Sequence, residues 1–403
     1  MESSDRPRYK VRFPDVESFK AGEEAGPSLL SVPVRNERRR FLSVTIPAGE
    51  QLLDRQLETF SAEFGAEVVA DVRYALEAAP GPSLLPVGPE VPGSPSLDDV
   101  LDLIHAREAW ETSRGAGVAI AVVDTGVNGA RPEFPAAKRR GQWAPAGEDP
   151  WTDYEGHGTM CACIATGTRT EGGEFDGVAP DAGLIACRTH FFDSEIVTIY
   201  DFLTDFAAEH DDLRVVASNS FGLPTGVAPP PPPDTDLADA LADAVAAGVA
   251  ICFSAGNYHE LAGGRPDACS PTSIWLHKCR ADVITVAGSR PDGSMWSYSS
   301  RGPGQFAGDP GMAPKPDVTA PTPPNGRVVY GDAVQSLPNG WGTSGACPQV
   351  AGVAALMLGG SDAAPDEIFD GIRVSAAPLG HGFECEGHGL LHAAQAVAAR
   401  GAA

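Results

Sequence analysis

Four residues in this chain have the types and settings needed for covalent chemistry: a serine, a histidine, an aspartate and an asparagine, each close to glycine. Ser344 lies in WGTSGACPQVAGVAALML, Trp341 to Leu358. A tight glycine turn there runs into an apolar stretch with no alternation, which reads as a buried helix. Ser344 is then expected at the helix N-terminal end. First-turn N–H groups lack partners in that position, and the helix dipole favours negative charge. An oxyanion forming at Ser344 is stabilised before any other residue is counted. Pro348 is expected in the first turn, where a missing N–H costs little. An ordinary N-cap serine would occupy the same position.

Asp124 follows an unbroken apolar run and precedes Thr125-Gly126. That puts a carboxylate at the end of a buried strand, where an unpaired charge is costly. His157 stands between Gly156 and Gly158 at a helix start. Flanking glycines let other backbone or a ligand come close. Asn257 closes the run SAGN. Taken singly, these are a turn cap, a core histidine and a turn residue.

The elements that must position them alternate. GVAIAVVDTG is a continuous apolar run, as expected of a strand buried on both faces. GLIACRTH, RVVASNSFG, VAICFSAGN and DVITVAGS read as further inner strands. IVTIYDFLTDFAAEH and DLADALADAVAAG are amphipathic helices between them. This alternation predicts a doubly wound, mostly parallel α/β sheet, with its site at the carboxyl ends of the strands. Asp124, Ser220 and Asn257 fall at such ends.

DTG, GHGT, SAGN and GTSGACP occur in that order, each at the strand or helix end expected. In this the chain resembles the subtilisin-like serine proteases over roughly residues 98–400. GVAP, SYSSRGPG, KPDVTAP and GHGLLHAAQAV support the likeness. The resemblance implies serine endopeptidase activity on a polypeptide substrate, with Asp124, His157 and Ser344 as a triad. Asp124 orients the imidazole; His157 carries the Ser344 proton to the leaving amine. Asn257 and the Ser344 N–H then hold the oxyanion, and losing such a donor costs on the order of 10²–10³ in rate. Ser220, Phe221 and Gly222 are expected to pair with an extended substrate. Ser254, Ala255 and Gly256 floor the first specificity pocket, small enough to admit a sizeable side chain. Two other readings stand beside this one: a peptide-maturation protease and a catalytically silent peptide-binding module.

The chain departs from the family pattern in several places. Met160 replaces the histidine common three residues after the catalytic one. Cys161 matches the proteinase K-like branch. Gly345 and Cys347 replace the usual Met and Thr or Ser. The glycine-containing strand that forms the second wall of the cleft is not evident in CRTHFFDSE. No cofactor or metal is expected; GTRTEGGEFDGVAP carries carboxylates but does not assign calcium.

Composition and pattern divide the chain into a loosely ordered arm over 1–40, a small α+β unit over 41–79, a Pro/Gly-rich linker over 80–97 and a large domain over 98–403; the resemblance implies that the unit is propeptide-like and the large domain the peptidase. The unit is too short for an independent core and is expected to pack on the larger domain. The formal charge of −25 argues against nucleic acid as a partner. No signal-like or membrane-length apolar run is present, which predicts a monomeric cytoplasmic protein and leaves other export routes open. Among eight cysteines, Cys269 and Cys279 bracket one loop and are the best candidates for a pair. Pro229–Pro233, five consecutive prolines, reads as a stiff polyproline II rod beside the cleft.

Overall fold

The computed structural model describes residues 8–25, 31–45, 51–76, 93–223 and 235–400. The first part of the chain contributes β1 (Arg8–Arg12), α1 (Val16–Ala25), β2 (Ser31–Asn36), β3 (Phe41–Thr45), α2 (Gln51–Phe64), β4 (Glu67–Ala70) and the short β5 (Ala75–Leu76). Then come α3 (Leu97–Leu103), α4 (Ala106–Ala109), β6 (Val118–Asp124), β7 (Arg139–Trp143), α5 (His157–Thr166), β8 (Gly183–Arg188), α6 (Asp193–Glu209), β9 (Arg214–Asn219), β10 (Phe221–Gly222) and α7 (Thr235–Ala246). The last part holds β11 (Ala250–Ser254), β12 (Ile284–Ser289), β13 (Val318–Pro321), β14 (Gly326–Tyr330), β15 (Ala333–Leu337), α8 (Gly342–Leu358), α9 (Pro365–Ser375), α10 (Phe383–Glu386) and α11 (Ala393–Ala399).

A seven-stranded sheet in the order β13-β12-β11-β9-β6-β8-β7 organises the larger part, and every neighbouring pair is parallel. Strand alternation divides β6 between two cores. Ile120 and Val122 pack on the side of α5 and α8, while Ala119, Ala121 and Val123 pack on the side of α6 and α7. Helices on both faces explain why these strands are apolar throughout. All seventeen residues of α8 are buried, so its uniform hydrophobicity is a consequence of its place inside the core.

Pro348 is not in the first turn of α8 but seven residues into it. Its missing N–H leaves the carbonyl of Ser344 outside the helical ladder. Two side chains satisfy that carbonyl instead: Ser220 Oγ at 3.2 Å and Cys161 Sγ at 3.6 Å. A helix irregularity thus ties α8 to α5 and to the end of β9.

The expected arm over 1–40 is corrected. β1 and β2 belong to a four-stranded antiparallel sheet in the order β2-β3-β1-β4, so a boundary at 40/41 cuts a hairpin. Val11, Phe13 and Phe19 share a core with Leu42, Val44 and Leu57. The linker, apart from residues 93–97, and the five prolines lie outside the described residues.

This N-terminal unit sits on α6 and α7. Lys10 Nζ lies 2.7 Å from Asp193 Oδ2 with both side chains fully buried, and 3.3 Å from Asp236. Arg8 pairs with Glu195, and Arg39 with Asp201 and Asp243. Asp71 accepts from Ser194 N at 2.9 Å and Ser194 Oγ at 2.6 Å. A carboxylate from the N-terminal unit therefore caps the first turn of α6.

The cysteine expectation is also corrected. Cys269 is bonded to Cys385, 116 residues away, with Cα atoms 5.1 Å apart. Cys279 is a buried free thiol, 3.5 Å from the Ile274 carbonyl. The remaining five cysteines are free and buried.

Candidate active site

Asp124 ends β6 and is buried. Its Oδ1 accepts from Thr125 N at 2.8 Å and lies 2.8 Å from His157 Nδ1. His157 opens α5 behind Gly156, whose φ of 101° is left-handed. A Cβ on Gly158 would stand 2.1 Å from the Gly126 carbonyl oxygen. Glycine is required there for α5 to approach the end of β6.

Asp153, which sequence reasoning missed, holds this helix end together. Its Oδ1 accepts from Glu155 N, Gly156 N and Thr125 Oγ1, and its Oδ2 from Thr159 N and Thr159 Oγ1. An aspartate just ahead of a helix start is a capping signature, and WTDYEGHGT carries it.

Burial works against the imidazolium of His157. The Asp124 carboxylate more than offsets it and holds the pKa well above the ordinary histidine range. His157 Nε2 is buried and has no hydrogen-bond partner among the described residues. Cys161, one helical turn on, lies 3.8 Å from His157 Nδ1 and 3.8 Å from Ser220 Oγ. Burial pushes its thiol pKa up. Donor atoms of Asp124, His157 and Cys161 lie within 4.8 Å of one another, close enough to share a soft metal ion.

Ser344 is the third residue of α8 and is buried. Its neighbour Thr343 organises the other side of the site. Asn257 Oδ1 accepts from Thr343 N and Thr343 Oγ1, each at 3.0 Å. Thr343 Oγ1 in turn accepts from Gly256 N at 3.2 Å. With its carbonyl end held twice, the Asn257 side chain presents its amide NH₂ at the other end. Thr343 was also missed by sequence reasoning, although it stands within the GTS motif itself.

Ser220, Phe221 and Gly222 continue from β9. Ala75 and Leu76 of β5 pair antiparallel with Gly222 and Phe221. On the other side, Tyr74 N donates to Phe191 O and Asp193 N to Val72 O, both at 2.8 Å. Residues 190–193 are therefore the second wall that the sequence did not reveal. Tyr74 packs its ring 5.7 Å from that of Phe221, which also faces Phe191 at 5.7 Å. The slot between the walls holds a stretch of the chain's own N-terminal unit.

In GTRTEGGEFDGVAP a guanidinium stands among the carboxylates: Arg169 binds both Asp98 oxygens, at 2.9 and 2.6 Å. No group in that loop has the spacing of metal ligands among the described residues.

A parallel sheet with an aspartate, a histidine and a helix-borne serine gathered at its carboxyl edge defines a subtilisin-like hydrolase. The subtilase family model, peptidase S8, matches residues 115–382, and the chain belongs to that family of serine endopeptidases. It is 27% identical over 303 residues to an intracellular serine protease of Paenibacillus polymyxa, covering 72% of this chain and 84% of that one. It is 28% identical over 307 residues to serine protease AprX of Bacillus subtilis (strain 168), covering 68% and 64%. Thermitase of Thermoactinomyces vulgaris is 29% identical over 256 residues, covering 63% and 79%. The crystal structure of MycP1 with its N-terminal propeptide removed shares the fold, with a TM-score of 0.56 at 24% identity, covering 74% and 96%. No helix among the described residues is long and apolar enough to cross a membrane.

Proposed function

We propose that Asp124, His157 and Ser344 are the catalytic triad and that Asn257 completes the oxyanion hole. The observation that carries this reading is the imidazole of His157, bonded to Asp124 through Nδ1 and without a partner at Nε2 among the described residues. In the acylation step Nε2 takes the Ser344 hydroxyl proton as Oγ bonds to the substrate carbonyl carbon. The carbonyl electron pair moves onto oxygen, where the Asn257 amide and the Ser344 N–H stabilise it. The C–N bond breaks as the imidazolium returns its proton to the leaving amine. Water repeats the sequence and releases Ser344. Asp124 fixes the tautomer throughout.

Substrate lies extended between Ser220-Phe221-Gly222 and residues 190–193, above a pocket floored by Ser254, Ala255 and Gly256. The support for this is the N-terminal unit, whose residues 72–76 pair with both walls. That unit then acts as a propeptide-like inhibitor held in the substrate's place.

The test is hydrolysis of a fluorogenic peptide by protein freed of residues 1–95, wild type and variants alike. Ser344→Ala and His157→Ala should each lower kcat by at least about 10⁴-fold. Rates within tenfold of wild type for either variant would remove it from the mechanism. Wild type should also lose its N-terminal unit while Ser344→Ala stays full length; equal, uncut masses would make that unit a permanent subdomain.

A further inference from the structure

We propose that the pocket beside Ser344 selects an acidic side chain on the residue whose carbonyl is attacked, and that Lys278 reads it. This rests on the endopeptidase reading above and names its substrate class.

The pocket floor expected from sequence is made of backbone and small side chains, which carry no preference for charge. The structure adds a cation to it. Lys278 lies in the short helical turn Leu276–Cys279, and its side chain runs inward to donate from Nζ to the Ser254 carbonyl at 2.7 Å. The residue is only 6% exposed. Its backbone is held too, because Thr285 Oγ1 donates to the Lys278 carbonyl at 2.7 Å. The ammonium is placed by the fold and does not swing on a free stem.

That charge is coupled to the nucleophile through few links. Ser254 leads to Gly256, Gly256 N donates to Thr343 Oγ1, and Ser344 follows. The charge also reaches the Cys347 thiol in the first turns of α8, where it opposes the effect of burial. Gly256 itself offers no side chain to the pocket. Gly256 has φ of 113°, and a Cβ there would stand 2.7 Å from Ser300 Oγ. Beside a buried ammonium a carboxylate gains a charge-assisted hydrogen bond that an amide of the same shape does not. A lysine side chain of substrate meets a like charge instead.

The chain's own sequence fits this preference. The pairing in the cleft runs to Leu76 opposite Phe221, and the next residue in sequence is Glu77. Between Leu76 and Gly93 the only charged residues are Glu77 and Glu90.

The test uses processed wild-type protein and four fluorogenic peptides that differ only in the residue before the scissile bond: Glu, Gln, Leu or Lys. Glu should exceed Gln in kcat/KM by about 10- to 100-fold, with Lys lowest. Lys278→Met should bring Glu and Gln within about threefold while the Leu peptide is still cut; Lys278→Arg should keep the preference. The N-terminus of the processed form should follow Glu77 or Glu90. A wild-type enzyme that cuts Gln or Leu as well as Glu overturns the inference, and so does a Lys278→Met variant with an unchanged ratio. Cleavage of none of the four by folded, processed protein overturns the endopeptidase reading and this one with it. Cleavage without preference overturns this one alone.

Discussion

Replacing Lys10 by Met tests how the N-terminal unit is held in the cleft. Lys10 and Asp193 form a fully buried pair at 2.7 Å, and Asp193 Oδ1 also accepts from Tyr74 Oη at 3.0 Å. The pair therefore lies directly beneath the segment that fills the slot. Methionine keeps the stem and its packing but leaves the Asp193 charge without its ammonium. Breaking a buried pair from one side costs about 3–5 kcal/mol. That corresponds to a factor of about 10² to 4 × 10³ in the docking equilibrium. The assay is hydrogen exchange of the Val72–Leu76 amides in a Ser344→Ala background, which cannot cut itself. Tyr74 N, bonded to Phe191 O, reports opening of the slot. Its exchange should accelerate by about 10²-fold or more. A matched control is Lys20→Met, whose partner Glu37 lies 3.1 Å away with both side chains about 60% exposed. Exposed pairs contribute about 0–1 kcal/mol, so that change should be under about fivefold. Equal protection in the Lys10→Met and Lys20→Met proteins would refute the idea that buried charge holds the unit in place.

Three further outcomes follow from the site. Mercurial reagents should slow hydrolysis through Cys161, and Cys161→Ala should keep activity and lose the sensitivity; equal inhibition of that variant would place the reactive thiol elsewhere. Thr343→Val removes the hydroxyl that bonds Asn257 Oδ1 and leaves Gly256 N without its acceptor. It should lower kcat about 10- to 100-fold with KM within about threefold, and a KM effect alone would argue against transition-state positioning. The pH profile should show the raised pKa of His157. A general base must be neutral, so kcat/KM should rise with pH through a pKa above the usual ~6.5, and Asp124→Asn should move that limb to lower pH. A limb at or below pH 6.5 in wild type would contradict the charge coupling.

The site was legible because its parts are local. DTG, GHGT, SAGN and GTSGACP each combine a candidate site residue with a neighbouring glycine, and Gly158 shows why: no Cβ fits against the Gly126 carbonyl. The parallel sheet was legible because strands covered on both faces leave an uninterrupted apolar run. What was missed depends on pairing between distant segments. The second cleft wall is irregular in sequence and becomes a wall only by bonding to residues 72–74, well over 100 positions away. β1 reads as a charged arm because its charges, Arg8, Lys10 and Arg12, are the ones paired with α6 and α7. Cys269 was matched to the nearer cysteine, while its partner lies beyond four strands of the fold. Pro348 was placed by a rule for helix starts, but α8 begins earlier and uses the proline to free the Ser344 carbonyl.

The most direct test of the central claim is a fluorophosphonate adduct located by peptide mass spectrometry. In protein freed of residues 1–95 the adduct should fall on Ser344 alone. It should vanish in Ser344→Ala and fall steeply in His157→Ala, since the proposed triad activates the serine through that imidazole. Folded wild-type protein that stays unlabelled, or an adduct on another residue, would contradict the assignment of Ser344 as the nucleophile.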